Sequence, residues 1–409
     1  MTTILAEYLV TDQTTLLFVV RHDEEQPHVE QIDLTRAQVG DLVARGPAAA
    51  SPPAALDALV APLDRHCRPD DTIWFVPHNV LHYLPLHALR LGDGRLIDRN
   101  PVCYTPSASV MRYCQAKRRP DSRRVLVYAD PRADMPLVHA REQAAAIARL
   151  FGGEATLRMG AQAAVTALEK DAADAADGFR VVHLACHGRY DPERPLRSGV
   201  LLAPDGADDG ELSAERILTM SLPADLVTIS ACESGANARH PGDELIGLTR
   251  ALIYAGAASV LVSLWAVDEV STSLLMQHFY RELLSGTDKA EALRRAQRRL
   301  RDMTAAEVVG LCERAASAAG EDGLDARLLL EESVADVRFR ARDYAGAQAA
   351  YERLLPRVPQ DGPWPLRLEM GETRSRWAAA AAGEPADYER KIYEDPYHWA
   401  PFILVGDWR

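Results

Sequence analysis

Two short apolar runs in the middle of the chain, rich in β-branched residues and each closed by glycine, set the pattern: Val181-Val182-His183-Leu184-Ala185-Cys186-His187-Gly188 and Leu226-Val227-Thr228-Ile229-Ser230-Ala231-Cys232-Glu233-Ser234-Gly235. Such runs read as buried parallel strands that empty into loops. From Arg123 onward strands alternate with helical segments. The pattern predicts strands over 124–128, 180–185, 226–230 and 259–265, and helices over 142–151, 162–173, 244–254, 271–284 and 289–301. That alternation specifies an α/β fold, a mostly parallel sheet with helices on both faces.

The rhythm differs at the two ends. Residues 1–120 read as a β-rich N-terminal part, with strands over 2–10, 14–21 and 72–77, either a sheet of its own or an extension of the main one. The core spans 121–302. Residues 303–393 carry few strand signals and much Ala, Arg and Glu, and read as a helical insertion. At its centre Phe339 to Leu355, followed by Pro356 and Pro359, resembles one tetratricopeptide unit, which cannot bury its own faces and is expected to pack on the main domain or on a partner. Residues 394–409 return to a strand that completes the core, with Pro396 and Pro401 at its start suiting it to a sheet edge.

Composition narrows the class. The 409 residues are 47% hydrophobic and 26% charged, as in an ordinary globular protein. A net charge of −13 argues against nucleic acid or an anionic membrane as the main partner. The six cysteines show no CxxC spacing and no N-terminal signal precedes them, so a reducing, cytoplasmic location is expected, with no membrane anchor.

The chemistry sits where the two runs end, because open α/β sheets keep their active sites at the carboxyl ends of strands. There His187 and Cys232 form a candidate base and nucleophile: an imidazole lowers the thiol pKa and later protonates the leaving amine. The backbone N–H groups of Gly188 and Cys232 are a candidate oxyanion hole, each donor worth about 3 kcal/mol in the transition state. Strand alternation puts Cys186 on the face opposite His183, Ala185 and His187, and both His183 and Cys186 are assigned to packing. His78, His82 and His87 are a weak metal candidate, since Pro77 and Pro85 break any helix that would align them, and neither metal nor cofactor is expected.

These residues carry a resemblance. The His-Gly and Ala-Cys-Glu-Ser-Gly endings, the segments 247–257 and 260–268, and the closing Pro-Tyr-His-Trp-Ala-Pro-Phe resemble the CHAT domain, a caspase-like cysteine peptidase family related to separases and caspases. The resemblance implies a caspase-hemoglobinase fold, a dyad at His187 and Cys232, and cleavage of a protein substrate in a bacterial stress or defence pathway. It reads 77–89 as a structural hairpin. Two departures stand out. No long repeat array precedes the domain, so regulation falls to the insertion or to a regulatory protein bound there. Metacaspases hold a basic P1 side chain with an acid two positions before the cysteine, and here that position is Ser230.

Substrate contacts are then sought at Trp265, Asp268 and Glu269, which leave the strand beside the cysteine strand. Asp268 or Glu269 would take a basic P1 residue, and Trp265 would wall an apolar one. Asp268 also suits a helix cap. Arg189, Arg194 and Arg197 in the loop after the histidine and Arg239 in the loop after the cysteine would bind an acidic substrate side chain or, as the favoured reading, are solvated surface. The alternative to a peptidase is a catalytically silent caspase-like scaffold whose insertion recruits a partner.

Overall fold

The computed structural model describes residues 2–44, 52–132, 137–189, 191, 193–206, 208–230, 243–265, 268–318, 324–358, 364–381 and 385–409. They form two compact units, Met1–Arg298 with Pro396–Arg409, and Arg299–Asp395.

The first unit is organised by strands. In chain order they are β1 (Thr3–Val10), β2 (Thr15–Arg21), β3 (His28–Ile32), β4 (Thr72–Val76), β5 (Arg90–Leu91), β6 (Gly94–Arg95), β7 (Val102–Tyr104) and β8 (Val125–Ala129). There follow β9 (Ala155–Met159), β10 (Phe179–Ala185), β11 (His187–Arg189), β12 (Gly199–Leu201), β13 (Glu211–Ser213), β14 (Ala224–Ile229), β15 (Ala257–Ser263) and β16 (Phe402–Gly406). Among the described residues eleven of them make one sheet in the order β3-β2-β1-β4-β7-β16-β15-β14-β10-β8-β9. The N-terminal strands therefore extend the main sheet.

Nine strands of the sheet form two parallel sets joined back to back, and β2 and β3 add an antiparallel end beyond β1. β15, β14, β10, β8 and β9 run one way. β1, β4, β7 and β16 run the other way, and the sets meet at the antiparallel pair β15/β16. Strand β16 is thus interior, where the prolines before it predicted an edge. The prolines do no harm because they precede the ladder: Pro396 opens the short helix Pro396–Trp399, and Pro401 gives its carbonyl to the Leu264 N–H at 2.8 Å. Gly406 ends the strand at φ +101°, where a Cβ would lie 2.6 Å from the Ala258 carbonyl oxygen, so only glycine fits.

Alternation assigns the two faces. Val182, Leu184 and Cys186, with Val227, Ile229, Val260 and Val262, enter a core that includes Leu168 from the helix Val165–Ala173 and Leu252 from the helix Asp243–Ala255. The intervening His183 and Thr228 face the opposite way and meet Tyr280 on the helix Glu269–Leu284. Buried on both faces, such strands have to be mostly apolar, and the polar residues the two runs do carry, His183 and Thr228, are hydrogen-bonded to Tyr280.

The return of the chain after residue 395 is locked by charge. Lys289, 1% exposed, places Nζ 3.0 Å from Asp225 Oδ2 and 3.5 Å from Asp407 Oδ2, and Asp407 also receives Arg118 Nε at 2.5 Å. Asp407 is fully buried, so it depends on both cations.

The second unit is helical: Ala305–Ala318, Leu324–Arg340, Tyr344–Leu354 and Trp364–Ala381, each packing on the next. Asp343 caps the third of these by accepting the Gly346 N–H at 3.0 Å. Leu328, Ala335, Ala347, Ala350, Tyr351, Leu354 and Leu368 make a small core of their own. This corrects the expectation that the tetratricopeptide-like segment packs on the main domain or a partner: its neighbours are the helices before and after it in this unit.

Removing the buried ammonium leaves Asp407 with Arg118 alone and takes the cation away from Asp225. Lys289→Ala is expected to lower the unfolding free energy by about 3 kcal/mol, against well under 1 kcal/mol for the exposed control Arg65→Ala, measured by urea denaturation at neutral pH.

Candidate active site

β10 and β14 run in parallel register, His183 opposite Thr228 and Leu184 opposite Ile229. The Ser230 N–H extends this ladder to the Leu184 carbonyl at 2.9 Å, and the Asp130 N–H reaches the Ala185 carbonyl at 3.0 Å. The ends of β8, β10 and β14 are thereby level at one carboxyl edge.

The chain leaving β10 does not open into a loop. It turns at Cys186 and begins a second sheet, β11-β12-β13, in which His187 stands opposite Leu201 and Gly188 opposite Val200. This is a correction to the alternation argument: His187 belongs to another sheet, so its direction does not follow from that of His183. His187 is 4% exposed. Cys232, the candidate nucleophile and second oxyanion donor, lies outside the described residues, as does Arg239.

Ser230, two positions before that cysteine, is buried and directs its hydroxyl to Gln143 Oε1 at 3.5 Å. Gln143 comes from the helix Val138–Phe151 and had no signature in sequence beyond its place in an amphipathic helix. The same edge is braced by Asp130, which adopts φ +44° directly after β8. Its carboxylate accepts the Leu137 N–H at 2.5 Å and pairs with Arg141. An aspartate following an apolar strand was the available signal for this brace.

Asp268 caps the helix Glu269–Leu284: Oδ1 accepts the Ser271 N–H at 2.8 Å. Glu269 lies 3.9 Å from His139 Nε2 on the neighbouring helix. Trp265 is partly buried against the core and donates its indole N–H to the Tyr397 carbonyl at 3.1 Å. All three sit just past the end of β15, adjacent to β14. Arg189 pairs with Glu211 across the small sheet at 2.6 Å, and Arg194 and Arg197 are exposed.

The family model described as CHAT domain matches residues 53–407. The chain belongs to the CHAT family. Curated relatives match over short stretches: tetratricopeptide repeat protein 28 of Homo sapiens at 34% identity over 24% of this chain, and its Mus musculus counterpart at 37% over 21%. The chain spans 4% of the length of each. Among solved structures, the separase–securin complex of Saccharomyces cerevisiae is similar over 55% of this chain and 14% of its own, with TM-score 0.39 and 12% identity. The Arg-specific cysteine proteinase gingipain R is similar over 55% of this chain and 57% of its own, with TM-score 0.35 and 10% identity.

In this CHAT chain the remaining histidines have separate partners. His78 Nδ1 accepts the Val10 N–H at 3.1 Å, while His87 Nδ1 lies 3.0 Å from the Tyr104 hydroxyl and Nε2 lies 3.3 Å from the Gln297 amide. The 77–89 segment forms 3-10 turns, Asn79–Tyr83 and Leu86–Ala88, rather than a hairpin. Among the described residues no group of three or more His, Cys, Asp or Glu is placed to hold a metal. Beneath the carboxyl edge, Tyr280 donates its hydroxyl proton to Thr228 at 2.8 Å and lies 2.9 Å from His183 Nδ1.

Burial pushes His183 and His87 down to about 3 from the ordinary 6.5. Both stay neutral in the folded protein while the unfolded chain takes up protons near pH 6.5. The stability they retain is therefore complete above that pH and is lost as pH falls from about 6.5 towards 3, by up to about 1.4 kcal/mol per pH unit for each histidine. Urea midpoints measured from pH 7 to pH 4 are expected to fall steeply, and His183→Gln to flatten the slope by about one proton.

Proposed function

We propose that this CHAT chain is a cysteine endopeptidase that cleaves a protein partner through His187 and Cys232. The observation that carries this reading is the level pairing of β10 with β14, which starts the segments bearing the two residues side by side at one carboxyl edge. His187 takes the thiol proton of Cys232, and the thiolate attacks the scissile carbonyl carbon. The Gly188 and Cys232 N–H groups hold the resulting oxyanion. His187 then returns its proton to the leaving amine, leaving an acyl-enzyme thioester. Water, deprotonated by His187, hydrolyses the thioester and restores the thiol.

The P1 residue borders Trp265, Asp268 and Glu269. Capping already engages one oxygen of Asp268, so Glu269, with its side chain 40% exposed, is the better placed carboxylate for a basic P1. The helical unit serves as the regulatory element, and the proposed setting is a bacterial stress or defence pathway, a reading supported by the family resemblance.

The described cysteines make a clean background for testing the nucleophile. Cys67, Cys103, Cys114, Cys186 and Cys312 are all buried. Burial pushes Cys67 up to about 12 and Cys114 up to about 11, and lifts Cys103 well above the usual thiol range. A thiol-reactive peptide electrophile at neutral pH is expected to label the native protein at Cys232 alone, read by mass spectrometry of its peptides. Cleavage of a peptide library should vanish in Cys232→Ala and fall about a hundredfold to ten-thousandfold in His187→Ala. Cuts after Arg or Lys would identify the carboxylates as the P1 lining, and cuts after apolar residues would identify Trp265. A folded protein that neither labels at Cys232 nor cuts would be an enzyme held inactive until an activator binds, or a scaffold.

A further inference from the structure

The last long helix of the second unit, Trp364–Ala381, is apolar on two opposite sides. Its inner side carries Leu368, Gly371 and Ser375, all buried, with the Gly371 backbone lying against the Tyr351 ring so closely that a Cβ there would meet Tyr351 Cζ at 2.5 Å. Its outer side carries Leu366, Met370 and Trp377, exposed at 63%, 64% and 70%. These are among the largest exposed apolar side chains described. With Thr373 and Ala380 they follow a strict four-three-four-three spacing, the seam of a coiled coil. A helix that merely capped the unit would be polar on this side.

The charges beside the seam indicate what covers it. On one flank stand Glu369 and Arg376, one heptad apart and of opposite sign. On the other stand Arg367 and Arg374, each paired with a carboxylate of the helix Leu324–Arg340. Arg367 Nε lies 2.5 Å from Glu332 Oε1, and Arg374 donates to Asp336 at 2.9 Å while stacking 4.0 Å over the Phe339 ring. Two such helices laid antiparallel about a twofold axis near residue 372 would set Leu366 against Trp377 and Met370 against Thr373. In that arrangement like flanks face each other, so Glu369 of each copy meets Arg376 of the other. On the second flank Glu332 and Asp336 offset the charge of the two arginines.

We propose that this seam is a self-association surface, on which a second copy of the chain packs antiparallel, helix to helix. An 18-residue helix spans about 27 Å, an interface of the small, transient class, so dissociation on the order of 10 μM is expected.

Sedimentation velocity of the full chain, over a concentration series reaching about a hundred micromolar, tests it. The wild type should pass from monomer to dimer across the series. Trp377→Glu should remain monomeric with an unchanged far-ultraviolet circular dichroism spectrum, the position being exposed. Glu369→Arg and Arg376→Glu should each weaken association about tenfold. Mixing these two single variants should recover it, because the wholly basic flank of one then faces the wholly acidic flank of the other. The double variant should recover it as well.

A wild type that stays monomeric throughout overturns the proposal. If its Trp377 is then shielded from a soluble quencher, the seam is covered by the chain's own residues. Association that survives Trp377→Glu, or that the mixed single variants fail to restore, equally overturns it. None of these outcomes depends on peptidase activity.

Discussion

A parallel strand covered on both faces has nowhere to put a reactive group except its end. In β10 and β14 the side chains alternate between two buried layers, so a polar group within the strand must be neutral and bonded, as His183 is to Tyr280. Once the strand stops, the same backbone can present an imidazole or a thiol to a substrate. The register that makes β10 and β14 level therefore decides whether two residues far apart in sequence meet, and the braces at Asp130, Arg141 and Ser230 serve to hold that edge.

Much of this was legible in the sequence because buried strands are written in continuous β-branched runs. The positions of β1, β2, β4, β8, β10, β14 and β15 follow from those runs to within a residue or two. The same logic misread β16, because proline argues against a central strand only when it stands within the ladder. Pattern also placed His187 just past the end of β10 but in the wrong sheet. The turn at Cys186 that opens β11 depends on pairing with Leu201, a contact no local window contains. Gln143 and Tyr280 were invisible as site neighbours for the same reason: each is an ordinary residue in its own element and matters only for what the fold brings beside it.

The helical unit shows the converse. Its repeat-like motif was plain from small residues and aromatic pegs, and such a motif needs neighbours. The neighbours proved to be the helices on either side of it, Leu324–Arg340 and Trp364–Ala381. What remains is the outer side of the final helix, where the stacking logic of repeats continues with no further helix among the described residues of this unit to satisfy it.

The antiparallel pair β15/β16 has a consequence for how the molecule is made. β16 lies between the two parallel sets and is the strand that joins them, yet it follows the whole of Arg299–Asp395 in the chain. A ribosome will have delivered every other strand of the sheet, and all the helices of the second unit, before residues 402–406 emerge. Until then β7 and β15 each present an open flank, a hazard for edge-to-edge pairing with other nascent chains. Completion of the sheet is a late, long-range event that the rate of synthesis itself postpones.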